Sequence, residues 1–298
     1  KFIQQYPESP FVNEAENSLY ALSTSGGTIK EYHDFILQYP NNHNVETAWH
    51  NIYTNYTSDY RTQSFVEFKI DYPDYPYPKV INQEIELSQK RLLTVRENGK
   101  WGFIDTTGQL ANRIGDEWVD DFSEGLAACS LKGRSGFINK AGKVVIPFTY
   151  EEVDAFKNGF SIVKEKNKCG VINKLGKLMV PFKYDEISDF SEGMAAVTIG
   201  NKCGYVDEFG NVVIPIKYTK AGDFSEELAA VELDGKSGFI NKSGAVVIPC
   251  NFDWVDNFKN GLAKAKSINK FGILDTKGTL LLPCEYDFLG EFSEDLIL

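Results

Sequence analysis

Histidine is scarce. Only His33, His43 and His50 occur in 298 residues, so nothing after residue 50 can supply an imidazole to a Ser/His/Asp or Cys/His centre. Cysteine is little better represented. Five cysteines is an odd number with no CxxC spacing, which excludes a fully paired disulfide framework and argues against a zinc site. Apolar runs are short: none approaches the ~18 residues that a membrane-crossing helix needs. Basic residues are outnumbered, 31 Lys and Arg against 42 Asp and Glu, for a net charge of −11. Residues 1–90 carry 6 against 12 and the remainder is acidic too, so no nucleic-acid partner is expected. No charged-then-apolar leader precedes the first residues, and the expectation is a processed or trimmed chain, or targeting information lying outside it.

What the sequence has in abundance is repetition. Gly102, Gly136, Gly170, Gly204, Gly238 and Gly272 lie 34 residues apart. Phe122, Phe156, Phe190, Phe224, Phe258 and Phe292 keep that step, as do Pro147, Pro181, Pro215, Pro249 and Pro283. Six copies without an insertion, starting near Leu92 and running to Leu298, define a repeat architecture. In the fifth copy, Leu228 to Leu233 reads as a strand, Asp234-Gly235 as a tight turn, Ser237 to Asn241 as a second strand, and Ala245 to Pro249 as a third. The first turn carries Gly or Asn at its second central position in every copy (Gly99, Gly133, Asn167, Asn201, Gly235, Asn269), where a positive φ is expected. The second turn opens with Asp or Asn and closes with Gly, as from Asp105 to Gly108, the pattern of a type I turn ending in a left-handed glycine. Proline is expected to end the third strand. Two columns are apolar throughout and are expected in the core: Phe148, Phe182, Ile216, Cys250, Cys284, and Val119, Val153, Ile187, Ala221, Val255, Leu289. Stacked neighbours can bury faces that one copy cannot.

Residues before Leu92 follow another rule. Tyr6-Pro7, Tyr39-Pro40 and Tyr72-Pro73 are 33 apart, and Tyr32, Phe35, Ile36 and Tyr39 keep helical spacing. The residue before proline disfavours the α region, so each Tyr-Pro pair predicts a helix end. The reading is two or three helical hairpins, with a last helix about Lys79 to Arg91.

The run Lys100-Trp101-Gly102-Phe103-Ile104-Asp105, with Gly108 and the later Val145-Ile146-Pro147, Tyr150, Phe156 and Phe190-Ser-Glu-Gly blocks, resembles the WG (KWG) repeat family over about residues 92–298. The eponymous tryptophan occurs only at Trp101; its counterparts are Ser135, Cys169, Cys203, Ser237 and Phe271, and Arg113 stands where other copies have proline. Residues 1–90 resemble tetratricopeptide-type repeats of bacterial envelope proteins. Both resemblances imply interaction or scaffold work, and neither implies a catalytic residue.

Three columns bear on binding. The cysteine pairs Cys169/Cys203 and Cys250/Cys284 read as small packing residues, with a disulfide ladder as the alternative. Lys100, Arg134, Lys168, Lys202, Lys236 and Lys270 form a basic column that could hold anionic glycans or acidic peptides, or pair with carboxylates such as Glu124, Glu192 and Glu226. The most informative column is a variable one, holding Trp118, Glu152, Glu186, Lys220, Trp254 and Phe288. A position that accepts Glu and Lys is expected at the surface, where Trp118, Trp254 and Phe288 become binding candidates. His43 and His50, two turns apart, allow a metal site only with ligands from elsewhere. No metal and no cofactor is expected.

The expected fold is α+β multidomain: helical repeat hairpins over 1–91, then an all-β array of six 34-residue antiparallel meanders over 92–298. An open superhelical array is preferred to a six-bladed propeller, in which Tyr150 to Phe156 would add a fourth strand to each unit. The expected function is a non-enzymatic interaction or scaffold module with a protein partner. The alternative is a glycan or other envelope polymer held by the aromatics and the basic column. A bacterial envelope or periplasmic location is suggested by the helical resemblance, while the free thiols leave the cytoplasm open.

Overall fold

The computed structural model describes residues 9, 11–115 and 117–290. Tyr6, Pro7, Phe292 and the start of a seventh copy at Leu296 lie outside them. The chain divides into two compact units, Lys1–Leu131 with Phe137–Pro147, and Lys132–Gly136 with Phe148–Leu298.

Among the described residues the first unit has five helices, α1 (Val12–Ser23), α2 (Ile29–Gln38), α3 (Val45–Tyr56), α4 (Thr62–Asp71) and α5 (Pro78–Gln89). α2 begins at a reciprocal capping box between Thr28 and Glu31. α2 and α4 stop at Tyr39 and Tyr72, each next to its proline as the sequence predicts. α5 starts on Pro78 at its first turn, where the missing N–H is not needed. Their shared core is aromatic: Phe35, Trp49 and Phe68 are buried with Ala48, Ile52 and Ile81, and Tyr53 and Tyr75 pack on them. Edge-on rings fill it, as between Tyr53 and Phe68 at 5.5 Å and between Phe68 and Tyr75 at 5.0 Å.

Six consecutive antiparallel sheets follow, and none closes on itself into a barrel. In the second unit, four-stranded meanders succeed one another as in an open, solenoid-like array. The fifth sheet, for example, orders Lys220–Ser225, Leu228–Leu233, Lys236–Asn241 and Val246–Phe252. The fourth strand, tied by the sequence to the propeller alternative, is therefore present. It is only two residues long in three of the sheets, as at Trp254–Val255.

The turns match their residues. The side chains of Asp105, Asn139, Asn173, Asp207, Asn241 and Asp275 each accept the N–H groups two and four residues on. In the first turn one copy departs from expectation. Asn201 does not take the positive φ; Gly200, one residue earlier, takes it at 60°.

The third strand also departs. It runs past the proline, to Phe252 in the fifth repeat. Pairing jumps from Ser237↔Phe252 to Phe239↔Ile248, so Pro249 sits inside a bulge, where its missing N–H breaks no ladder bond. This bulge explains the glycine of the motif. A Cβ on Gly238 would lie 2.4 Å from the Ile248 carbonyl oxygen, and one on Gly204 or Gly272 would meet Ile214 or Leu282 as closely. Glycine and proline columns are thus two halves of one backbone crossing. The column Phe148, Phe182, Ile216, Cys250 and Cys284 flanks the bulge and is half-buried, not core. The sealed column lies two residues earlier, at Ile146, Val180, Ile214 and Ile248.

Within the second unit, a sheet has a leading face toward the previous repeat and a trailing face toward the next. Between the fourth and fifth repeats, trailing Met194, Tyr205, Ile214 and Tyr218 enclose leading Phe224, Ala229, Val231 and Ile240. The next junction repeats the recipe with Leu228, Phe239 and Ile248 against Val255, Phe258, Ala263, Ala265 and Leu274. Each Val, Leu, Ile, Met or Phe among them stabilises by about 1.5–3 kcal/mol on burial.

Candidate functional site

The basic column is the first candidate, and most of it is engaged. Lys168, Lys236 and Lys270 each reach the aspartate 17 residues on, Asp185, Asp253 and Asp287, at 2.6 Å. Arg134 pairs with Glu165 at 3.2 Å. The aspartates do more than neutralise. Asp185 also accepts the Gly200 N–H, and Asp253 the Ile268 N–H, both at 2.7 Å. Those amides belong to the first turn of the following repeat, so each carboxylate clamps two repeats together. The lysine and the turn amide hold Asp185 and Asp253 below the ordinary aspartate range. Lys202 is the exception in kind, because Thr219 stands where its aspartate would be. Lys100 is exposed on the first sheet.

Two of the glutamates anticipated as lysine partners, Glu192 and Glu226, serve a second clamp. Glu192 accepts the Glu226 and Glu227 N–H groups at 2.7 and 3.0 Å, and Glu226 accepts the Gly261 N–H at 2.8 Å. Ser191 and Ser225 donate to the carbonyls of Phe224 and Phe258, 33 residues on. Burial pulls Glu192 upward, but those amides and Lys242 outweigh it and hold its carboxyl low. The Phe-Ser-Glu-Gly block is stacking hardware.

The cysteines are all free. Cys129 is buried, and burial pushes its thiol up to about 12; burial raises Cys169, Cys250 and Cys284 as well. None of these four is poised as a thiolate. His43 bonds Glu16 and Asn17, and among the described residues no cluster of three or more metal-binding side chains forms.

The variable column remains. Trp118, in the first unit, is exposed. Trp254 is 41% exposed and Phe288 78%. Trp254 lies on the short first strand of the sixth sheet, opposite Lys266. The Lys266 ammonium stands 5.3 Å from the Phe271 ring centre, and the Phe271 and Trp254 rings meet edge to face at 6.2 Å. Phe271 pairs in turn with Tyr286. One trailing-face row across this sheet therefore reads Trp, Lys, Phe, Tyr. In the third sheet the same row is Glu152, Lys164, Cys169, Tyr184; in the fourth it is Glu186, Thr198, Cys203, Tyr218.

The turn of the same hairpin carries a residue that sequence reading missed. Ile268 is 88% exposed and held at φ 51°. A β-branched residue resists this region, and strain of this kind clusters at functional sites. Its counterparts Asn98, Lys132, Lys166, Gly200 and Asp234 are small or polar. The signal was there in that column, as it was for Lys266 and Phe271 in theirs.

A model of the WG containing repeat matches residues 136–169, 170–203, 204–236, 238–270 and 271–298, more than half of the chain. The chain belongs to this family. The matched WG repeats begin at Gly136 and do not take in Trp101; the counterparts of that tryptophan that they cover are Cys169, Cys203 and Phe271. No curated protein matches the chain. Among solved structures, this WG-repeat chain is similar to Kluyveromyces lactis Hsv2 with a replaced loop (12% identity, 54% of this chain and 63% of that one, TM-score 0.35). It is also similar to a eukaryotic initiation factor (14%, 64% and 62%, TM-score 0.43) and to the C-terminal WD40 domain of Sif2 (12%, 64% and 68%, TM-score 0.33). The chain spans less than two thirds of the first two.

Proposed function

We propose that this WG-repeat chain is a non-enzymatic protein-interaction scaffold, with a helical module over 1–91 and a β-repeat domain over 92–298. Its partner docks on and beside the sixth sheet, where Trp254, Lys266, Phe271 and Phe288 supply aromatic and cationic contact and Ile268 projects from the turn. The observation that carries this reading is Ile268: an exposed β-branched residue in left-handed backbone gains nothing for the fold, and a contact outside the chain gives it a reason.

A glycan reading has less support. Trp254 and Phe271 meet edge-on rather than offering one flat platform, and Arg134, Lys168, Lys236 and Lys270 are occupied by carboxylates. Trp118, Lys100 and Lys202 are secondary binding candidates. A quantitative pull-down compares the wild type with a Trp254→Ala, Phe288→Ala variant and a Lys202→Ala control. Partners lost with the double variant alone support the site; identical partners from all three proteins overturn it.

A further inference from the structure

The two outermost β repeats carry uncovered halves of a junction that the repeats of the second unit close among themselves. On the leading face of the first sheet, Leu93, Val95 and Ile104 occupy the columns of Ala229, Val231 and Ile240. The latter three are sealed beneath the fourth repeat, whereas Leu93 is 56% exposed and Val95 and Ile104 are half-buried. A groove of about 350 Å³ opens here, lined by Val95, Ile104 and Leu110 together with the charged Glu97, Lys100 and Arg113. On the trailing face of the sixth sheet, Ile273, Leu282 and Tyr286 occupy the columns of Tyr205, Ile214 and Tyr218. Those three are sealed, but Tyr286 is 43% exposed and Ile273 and Leu282 are half-buried.

The polar halves match as well. Asp287 holds Lys270 through one oxygen, as Asp185 and Asp253 hold Lys168 and Lys236. In the inner junctions the second oxygen takes the first amide of the next repeat's turn, Gly200 or Ile268. The residue in that place in the first repeat is Asn98, at φ 52° in an exposed turn.

We infer that the chain self-associates head to tail, the trailing face of the sixth repeat of one copy docking on the leading face of the first β repeat of a second copy. Tyr286 enters the groove over Val95 and Ile104, and Asp287 accepts the Asn98 N–H. The inference rests on the proposed docking role of the sixth sheet's trailing face and names its occupant. A contact with two unlike halves propagates or closes into a ring, but it does not stop at a symmetric pair.

The test is sedimentation equilibrium of the full chain up to about 100 μM, where associations of modest affinity are populated. The wild type is expected to gain mass with concentration. Leu93→Glu and Tyr286→Glu, each placing a charge in the apolar contact, are expected to weaken association about tenfold or more. Mixed together they restore a two-chain species, because each retains one intact half. Asp287→Asn, at an exposed side chain that leaves the fold intact by circular dichroism, is expected to weaken association less. A monomeric wild type overturns the inference, as does association indifferent to Leu93→Glu, or a mixture that fails to restore the pair. If the wild type is monomeric while Trp254-dependent capture of another protein persists, the self-association falls and the docking reading stands; loss of both removes both.

Discussion

The helical and β regions solve the same problem with opposite means. The helices bury one irregular aromatic cluster, in which Phe35, Trp49, Phe68 and their tyrosines each have a different set of neighbours. The β repeats use one recipe repeatedly: a glycine under a proline bulge, an Asx-closed turn, an aspartate clamp and a serine–glutamate clamp. A shared cluster fails as a unit, whereas a nearest-neighbour stack can fail locally.

The largest effect expected on this contrast is in the helices. Phe68→Ala should cost about 3–5 kcal/mol through the cavity it leaves, and chemical denaturation should show the whole helical signal lost together. Gly238→Ala comes next, at about 2–4 kcal/mol, because its Cβ would meet backbone that cannot move aside. Amide exchange should then rise in the fifth repeat and its neighbours while α2 and α3 stay protected; loss of helical protection as well would break the comparison.

Acid should separate the regions by sign. Asp185 and Asp253 titrate lower when folded than the ordinary 3.8. Their contribution is therefore complete above that value and disappears as pH falls through it toward their lowered folded values. In the helical region, burial, only partly offset by Lys143, raises Glu84 above 4.5. That shift favours the folded state as pH falls. Acidification should expose the Gly200 and Ile268 amides to exchange, relative to intrinsic rates, before the amides of α3. The smallest effect is a gain: Ile268→Asn should stabilise by about 0.5–1 kcal/mol by relieving the left-handed β-branched residue, while weakening partner capture. A melting curve and the pull-down read the two together.

Legibility follows the same division. The period, the turn residues and the helix ends at Tyr39 and Tyr72 could be read from the chain because local backbone preferences set them. The third strand's passage through Pro249 could not, since proline alone says that an N–H is missing and the bulge that tolerates it needs Gly238 on the facing strand. The lysine column and its pairing with carboxylates could be read, but its partners could not, because Asp185 and Asp253 are 17 residues away and meet it only through the meander. Trp254 and Phe288 stood out by their column, whereas Lys266, Phe271 and Ile268 gained meaning once strand register placed them beside Trp254.

By itself, then, the sequence determined the repeat: its length and the count of six show as residues recurring every 34 positions, and its turns and alternation are encoded within a few residues of one another. Tertiary structure decided the roles. Which lysines are neutralised, which glycines sit under a crossing backbone and which apolar faces stay open depend on contacts between residues roughly half a repeat or a whole repeat apart, and chain geometry alone brings such residues together.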